Sequence, residues 1–209
     1  MYQRWRYTFD KSRVRDDPKS WRLATIAIVD YDSAWATHFD ELRATIWPAV
    51  SRVALGIEHV GSTSVPGLAA KPVIDIDIVI ASADHLRAAI DVLAAIGYTH
   101  RGDLGVPGRD AFDAPAGARE HNLYVCVDGC ASLRNHLAVR DYLRRCPEAV
   151  AEYSDLKRGL AARHPRDIDA YIAGKTDFLC RILDKAGVPA CQIDAIRRLN
   201  NPSAVDPDV

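Results

Sequence analysis

No run of apolar residues in this chain is long enough to cross a bilayer as a helix, which takes about 20 in a row. The first residues are charged and aromatic rather than the apolar core of a secretory leader, so the expected location is cytoplasmic and no membrane contact is anticipated. Neither sign of charge prevails, since 27 Lys and Arg meet 28 Asp and Glu for a formal net charge of -1. So balanced a chain has no general pull on nucleic acid or acidic lipid; nucleic acid is not expected as a partner, and any basic surface is local. Cysteine is scarce and unpatterned, with five residues (Cys126, Cys130, Cys146, Cys180 and Cys191) and no C-x-x-C pair. A disulfide framework and a zinc ribbon are thereby set aside in favour of reduced, mostly buried thiols. Cys126 and Cys130 are near neighbours but lack partners to complete a zinc site. Repeats and low-complexity tracts are also missing.

What is present fits one medium-sized domain with a helical appendage: 209 residues, 48% hydrophobic and 26% charged. Residues 1–22 read as an N-terminal extension, polar and aromatic without a period. Residues 23–130 read as an α/β core. Within it, Leu23 to Val29 suits an edge strand, and a helix capped by Asp32 or Ser33 carries Trp35, Phe39, Leu42 and Ile46 until Pro48 ends or kinks it. Short strands follow over Ile57 to Val60 and Val73 to Ile80, then a helix after Asp84 that Gly97 stops. Tyr98 to Arg101, Arg109 to Ala114 and Glu120 to Val127 complete the strands, with Gly and Pro clustered between them. Residues 131–200 read as a helical cap, with start signals at Ser132, Pro147 and Asp167 and a short last helix over Cys191 to Leu199. Residues 201–209 are a polar tail.

The most informative stretch is HVGSTSVPGLAAKPVIDIDIVI, His59 to Ile80. A Gly-Ser turn leads through a Pro/Gly-broken segment into a β-branched strand that contains two aspartates. Side chains alternate along a strand, so Asp75 and Asp77 project together while Ile74, Ile76 and Ile78 project oppositely. Two carboxylates on one face repel each other and resist burial, and a divalent cation removes both penalties. The competing reading is a solvated strand face or ion pairs with nearby Arg and Lys.

Together with the segment from Arg109 to Phe112, the run RNHLAVRDYLRRCPEAVAEYSDLK (Arg134 to Lys157), and Tyr171 with Lys175, this stretch resembles the GrpB (UPF0157) family. The resemblance runs from about Ile28 to Gly187. It implies the nucleotidyltransferase-like fold, a small mixed α/β (α+β) sheet flanked by helices with a C-terminal helical part. It also implies kinship with a domain fused behind dephospho-CoA kinase in some bacteria. One strand departs from the family pattern: where relatives carry an HHLHV-like run, this chain has Glu120-His121-Asn122-Leu123-Tyr124-Val125.

The chemistry expected of that fold is nucleotidyl transfer, in which divalent ions clamp a triphosphate and activate an attacking hydroxyl. Asp75 and Asp77 are the expected ligands for Mg2+ (or Mn2+), bound through oxygen. Gly61 and Ser62 would approach the phosphates with backbone N–H groups and a hydroxyl, which a Cβ at Gly61 would obstruct. Lys71, Arg109 and Arg140 are candidates to neutralise phosphate charge; Arg109 follows a Gly/Pro-rich loop that would serve as a lid, the default alternative being an exposed loop arginine. His136 and Arg140, four apart on a predicted helix, share a face and suit substrate contact or simple docking of helix on sheet. Transferases of this fold recruit a third carboxylate from a later strand, for which Glu120 is the nearest candidate and Asp113 and Asp128 poorer ones. Glu120 alternates with His121, so one of the two faces the aspartates. His59 suits packing or ligand contact equally, and Tyr171 with Lys175 reads as structural. The expected partners are a nucleoside triphosphate and a small-molecule or protein acceptor. The rival readings are a binding or folding-accessory module that kept the fold without the reaction, and phosphate-ester hydrolysis at the same site.

Overall fold

The computed structural model describes residues 25–200, so the N-terminal extension and the tail lie outside the described residues, as do positions 23 and 24 of the expected first strand. The strand expected around the two aspartates forms as β2 (Ile74–Ile80), and every one of its residues is buried. Ile74, Ile76, Ile78 and Ile80 are each no more than 1% exposed and turn to one side. There they pack with residues of α1 (Ala34–Val50) and α2 (Leu86–Ala95), including Trp35, Ile46, Val50, Ala89 and Leu93. Burial on both faces leaves the two aspartates on the other side withdrawn from water as well.

β2 is flanked by β1 (Gly56–Val60), antiparallel, and by β5 (His121–Val127), parallel. β4 (Arg109–Asp113) and the two-residue β3 (Thr99–His100) extend the sheet, giving the order β1-β2-β5-β4-β3. The second face is covered by α3 (Ala131–Arg145), α4 (Pro147–Arg163) and α5 (Ile168–Lys185), with α6 (Ala190–Asn200) packed on α5 through Ile193, Ile196, Cys180 and Leu183. A small mixed sheet flanked by helices, followed by a helical part, is the α/β (α+β) architecture expected from the sequence.

Three local expectations are corrected. Residues 25–29 form no strand, only a single bridge between Val29 and Ala70. The backbone of this segment turns elsewhere: Ile26 N donates to Pro165 O at 2.8 Å, and the Ile26 side chain packs with Leu160, Ile168 and Tyr171. α3 is capped by Cys130 rather than begun by Ser132, because Cys130 holds extended dihedrals (φ -64, ψ 155) and its sulfur accepts from Leu133 N. The Gly/Pro-rich loop does not leave Arg109 exposed; the residue is 3% exposed within the sheet.

Candidate functional site

The pairing register decides what surrounds the aspartates. Asp75 lies between Val60 and Asn122, and Asp77 between Glu58 and Tyr124. Paired residues share a face, so all six belong to the side covered by α3, α4 and α5. Both aspartates are buried there, at 8% and 0% exposure. Asn122 Nδ2 donates to Asp75 Oδ1 at 2.7 Å, and His136 Nδ1 of α3 lies 2.6 Å from Asp77 Oδ2. Asp77 Oδ1 has no hydrogen-bond partner, an orphaned buried acceptor. Burial above all drives the Asp75 carboxyl up to about 6, against the opposing hydrogen bond from Asn122 and the charge of His136.

The chain between β1 and β2 brings a backbone turn against this carboxylate. Gly61, with φ 71, opens a 3-10 turn over Ser62–Ser64. A Cβ placed on Gly61 would come within 2.7 Å of the Asp75 carboxylate carbon, so only glycine allows so close an approach. The turn is pinned from several sides. Ser64 Oγ donates to Gly61 O at 2.7 Å, and Arg144 donates to Ser64 O through Nε and Nη2 at 3.0 and 2.7 Å. Arg140 bonds Glu58 at 2.7 Å, Asp141 at 2.7 Å and His59 O at 3.1 Å. His59 itself packs: its ring stacks on Phe39 at 4.6 Å and its Nε2 meets Thr63 Oγ1 at 3.1 Å. Its pKa falls to about 4, first through burial and then through Arg144 and Arg140.

A cavity of about 80 Å³ lies between the turn and the helices. Its lining combines the polar Ser62, Asp75, His136, Arg140 and Lys175 and the Gly61 turn with apolar side chains of β1, α3, α4 and α5. Lys157 of α4, 2% exposed, donates to Ser62 Oγ at 3.0 Å and lies 4.4 Å from the Tyr153 ring centre. Lys175 of α5 lies 4.6 Å from the Tyr171 ring centre, and Lys71 lies 5.7 Å from the same ring. Burial, the neighbouring Lys71 charge second, lowers Lys175 to about 8, with Asp75 opposing. Lys157 is driven well below its ordinary value by burial and then by Lys175. Among the described residues neither Lys157 nor Lys175 forms an ion pair with a carboxylate.

A family model described as GrpB protein matches residues 25–185. The chain belongs to this GrpB family. It is 36% identical over 154 residues to the UPF0157 protein YqkA of Bacillus subtilis, which covers 74% of this chain but only 45% of YqkA. With the UPF0157 protein SCO7215 of Streptomyces coelicolor it shares 35% identity over 162 residues, 78% of this chain and 84% of that one. The crystal structure of GrpB from Enterococcus faecalis superposes with a TM-score of 0.69 at 33% identity, covering 77% of this chain and 96% of that one. A stretch of the dephospho-CoA kinase of Mycolicibacterium paratuberculosis is similar as well, 29% identical over 177 residues and 44% of that enzyme.

In this GrpB protein the fold therefore gathers Gly61, Ser62, Asp75, His136 and Arg140 around one cavity, with Asp77 beneath His136. Lys71 stands close enough to Asp75 and Glu120 for both to oppose the lowering of its pKa by burial. Glu120 is exposed, one residue before β5, and His121 turns to the opposite face, where its Nε2 meets Tyr98 Oη at 2.8 Å. Asn122, the next residue, takes the position that faces Asp75, and among the described residues no group of three His, Cys, Asp or Glu side chains forms a metal cluster. Arg109 lies on the same face beyond the cavity, its guanidinium 4.4 Å from the Tyr124 ring centre. Lys175, read from the sequence as structural, lines the cavity together with Asp75. Lys157 is the residue that sequence reasoning missed. Its signal was its place in the apolar stripe Val150, Tyr153, Leu160 and Ala161 of α4, where a solvated lysine has no business.

Proposed function

We propose that this GrpB protein binds a nucleoside triphosphate with Mg2+ or Mn2+ and transfers a nucleoside monophosphate to a hydroxyl of a small molecule or protein. The observation that carries the reading is Lys157: a buried amino group whose one hydrogen-bond partner among the described residues is Ser62 Oγ, beside Lys175, at a glycine turn. Ammonium groups withdrawn from water in this way are costly unless an anion meets them. The cavity lies at the Gly61-Ser62 turn beside Lys175, so a phosphate would enter there and the nucleoside lie outside it.

The donor set suits magnesium. Asp77 Oδ1 is an orphaned buried oxygen, and Asp75 supplies a second hard donor on the same face. Two protein carboxylates are a common complement for Mg2+, which keeps water and takes substrate phosphate oxygens for the rest. Bound there, the ion would neutralise charge on the triphosphate and lower the pKa of an attacking hydroxyl. His136 holds the Asp77 carboxylate in place, Asn122 holds that of Asp75, and the lysines compensate charge on the phosphates.

Calorimetric titration with Mg-ATP and the other triphosphates, with pyrophosphate release as second readout, tests this. Binding by the wild type that is lost in Asp75→Asn/Asp77→Asn is expected; no binding, or binding and turnover unchanged by that pair, rejects it. Release of free phosphate instead would indicate ester hydrolysis. The rival reading, a non-catalytic module, has two observations in its favour. No third carboxylate completes a metal cluster with the aspartates among the described residues, Glu58 on the same face being paired with Arg140, and a similar stretch lies within a dephospho-CoA kinase. Full function of the double variant in cells would establish it.

A further inference from the structure

Beyond the cavity, the same sheet face ends in two cysteines and a buried arginine. Cys126, fully buried in β5, pairs directly with Arg109 across the β4–β5 ladder. The chain then turns back on itself, with Cys130 N donating to Val127 O at 3.0 Å, which returns Cys130 to the cluster formed by Cys126, Tyr124 and Leu133. Cys130 is half-buried, and a Cβ on Gly108 would sit 2.9 Å from its own Cβ, so its side chain lies over the Gly108-Arg109 backbone. Its sulfur caps α3, accepting from Leu133 N at 3.5 Å. Arg109 is 3% exposed, its Nε has no hydrogen-bond partner, and its charge falls on Cys126. A buried cation that forms no ion pair among the described residues thus stands beside the Cys126 thiol, and Cys130 follows at the N-terminus of α3.

We propose that Cys130 and Cys126 form a second reactive site, a thiolate–thiol pair that a peroxide converts into an intramolecular disulfide. Donation from the Cys126 thiol comes first, and the backbone N–H groups of Leu133 and Ser132 add to it, lowering Cys130 to about 6. The Cys126 thiol, as the donor, is held well above its ordinary value. At neutral pH Cys130 is the nucleophile and Cys126 keeps the proton. The Cys130 thiolate attacks one peroxide oxygen and the O–O bond breaks. The sulfur becomes a sulfenic acid, and the other oxygen leaves, taking a proton from solvent, as water or an alcohol. Cys126 then loses its proton and attacks the Cys130 sulfur, displacing hydroxide, which takes that proton as water. Two thiols are oxidised by two electrons and one peroxide is reduced. Arg109, whose charge falls on Cys126, favours ionisation of that thiol for this second step.

Hydrogen peroxide at neutral pH, followed by alkylation and tryptic mass mapping of the full chain, tests the pair. The peptide Glu120 to Arg134 holds both cysteines and is expected to become lighter by two hydrogen atoms without alkyl groups. Cys130 should react severalfold faster than exposed Cys191, because its larger thiolate fraction outweighs the weaker nucleophilicity that goes with a lower pKa. Cys130→Ser should abolish oxidation in this peptide. Cys126→Ser should leave a sulfenic acid on Cys130 that dimedone traps, and Arg109→Met should slow closure of the disulfide severalfold. Wild-type protein whose peptide stays reduced while Cys191 is oxidised overturns the proposal, as does a Cys130 sulfenic acid that persists in the wild type without forming the disulfide.

Discussion

At the scale of single residues, Lys157 separates a structural role from a ligand-binding one. A lysine kept for stability would make its replacement costly, whereas one kept for an anion burdens the empty protein. Replacing Lys157 by Met removes an ammonium with Ser62 Oγ as its hydrogen-bond partner and keeps the stem that packs beside Tyr153. The variant is expected to unfold at the same temperature or higher, with a gain of about 1 kcal/mol or more, since apolar replacement of buried charge is often stabilising. Its affinity for Mg-ATP is expected to drop at least about tenfold, roughly the 1.5–3 kcal/mol of a charge-assisted contact. Thermal melts and calorimetry on one sample check both halves; a large loss of stability with unchanged binding would assign Lys157 to the core alone. Asp77→Asn tests the opposite case. The amide oxygen still meets His136 Nδ1, so stability should fall by only about 1–2 kcal/mol, while binding that depends on Mg2+ disappears.

At the scale of elements, the site depends on one turn and one strand, and the two were not equally legible. β2 was plain because its alternation of Asp with Ile has the strand period, and the structure places the two sets on opposite faces as expected. Its neighbours needed the register, which sequence alone does not provide. Nothing in Glu120-His121-Asn122 says which residue meets Asp75 until β5 is paired in parallel with β2, and then Asn122 stands there. The first expected strand failed for a similar reason, because the hydrogen bonds of residues 25–29 are settled by contact with the α4–α5 connection far along the chain. Lys157 and Lys175 escaped because each becomes a site residue only when its helix docks on the sheet. The turn gives the sharpest element-scale prediction. Gly61→Ala meets both a left-handed φ of 71 and the Asp75 carboxylate, so it should destabilise the protein by about 1–3 kcal/mol. Ser64→Ala, which removes only the 2.7 Å bond to Gly61 O, should cost about 1 kcal/mol and leave the glycine approach intact. Urea unfolding of both variants distinguishes them; equal losses would mean that the close approach to Asp75 is not under strain.

At the scale of the whole molecule, the site makes stability and binding depend on pH in opposite ways. Asp75 rises from 3.8 to about 6 on folding, so between those values the folded chain holds the extra proton and stability falls as pH climbs. Lys175 drops from 10.5 to about 8, so above 8 the unfolded chain holds the extra proton and stability grows as pH climbs. Between about 6 and about 8 both groups are charged and the empty site contributes least. A magnesium triphosphate needs that same state, Asp75 ionised for the cation and Lys175 protonated for the phosphate. Its affinity is therefore expected to fall as pH drops through about 6 and again as pH rises through about 8. With ligand at a hundred times its dissociation constant, mass action adds about 2.7 kcal/mol, a rise in melting temperature of about 5–10 °C for a domain of this size. Melts with and without Mg-ATP from about pH 5 to about pH 9 should show that rise cresting near neutrality and shrinking on both sides. In Asp75→Asn the acid limb should vanish together with the metal dependence. A shift that is flat across the range in the wild type would place the ligand away from Asp75 and Lys175, and with it the reading of this cavity as a phosphate site would fall.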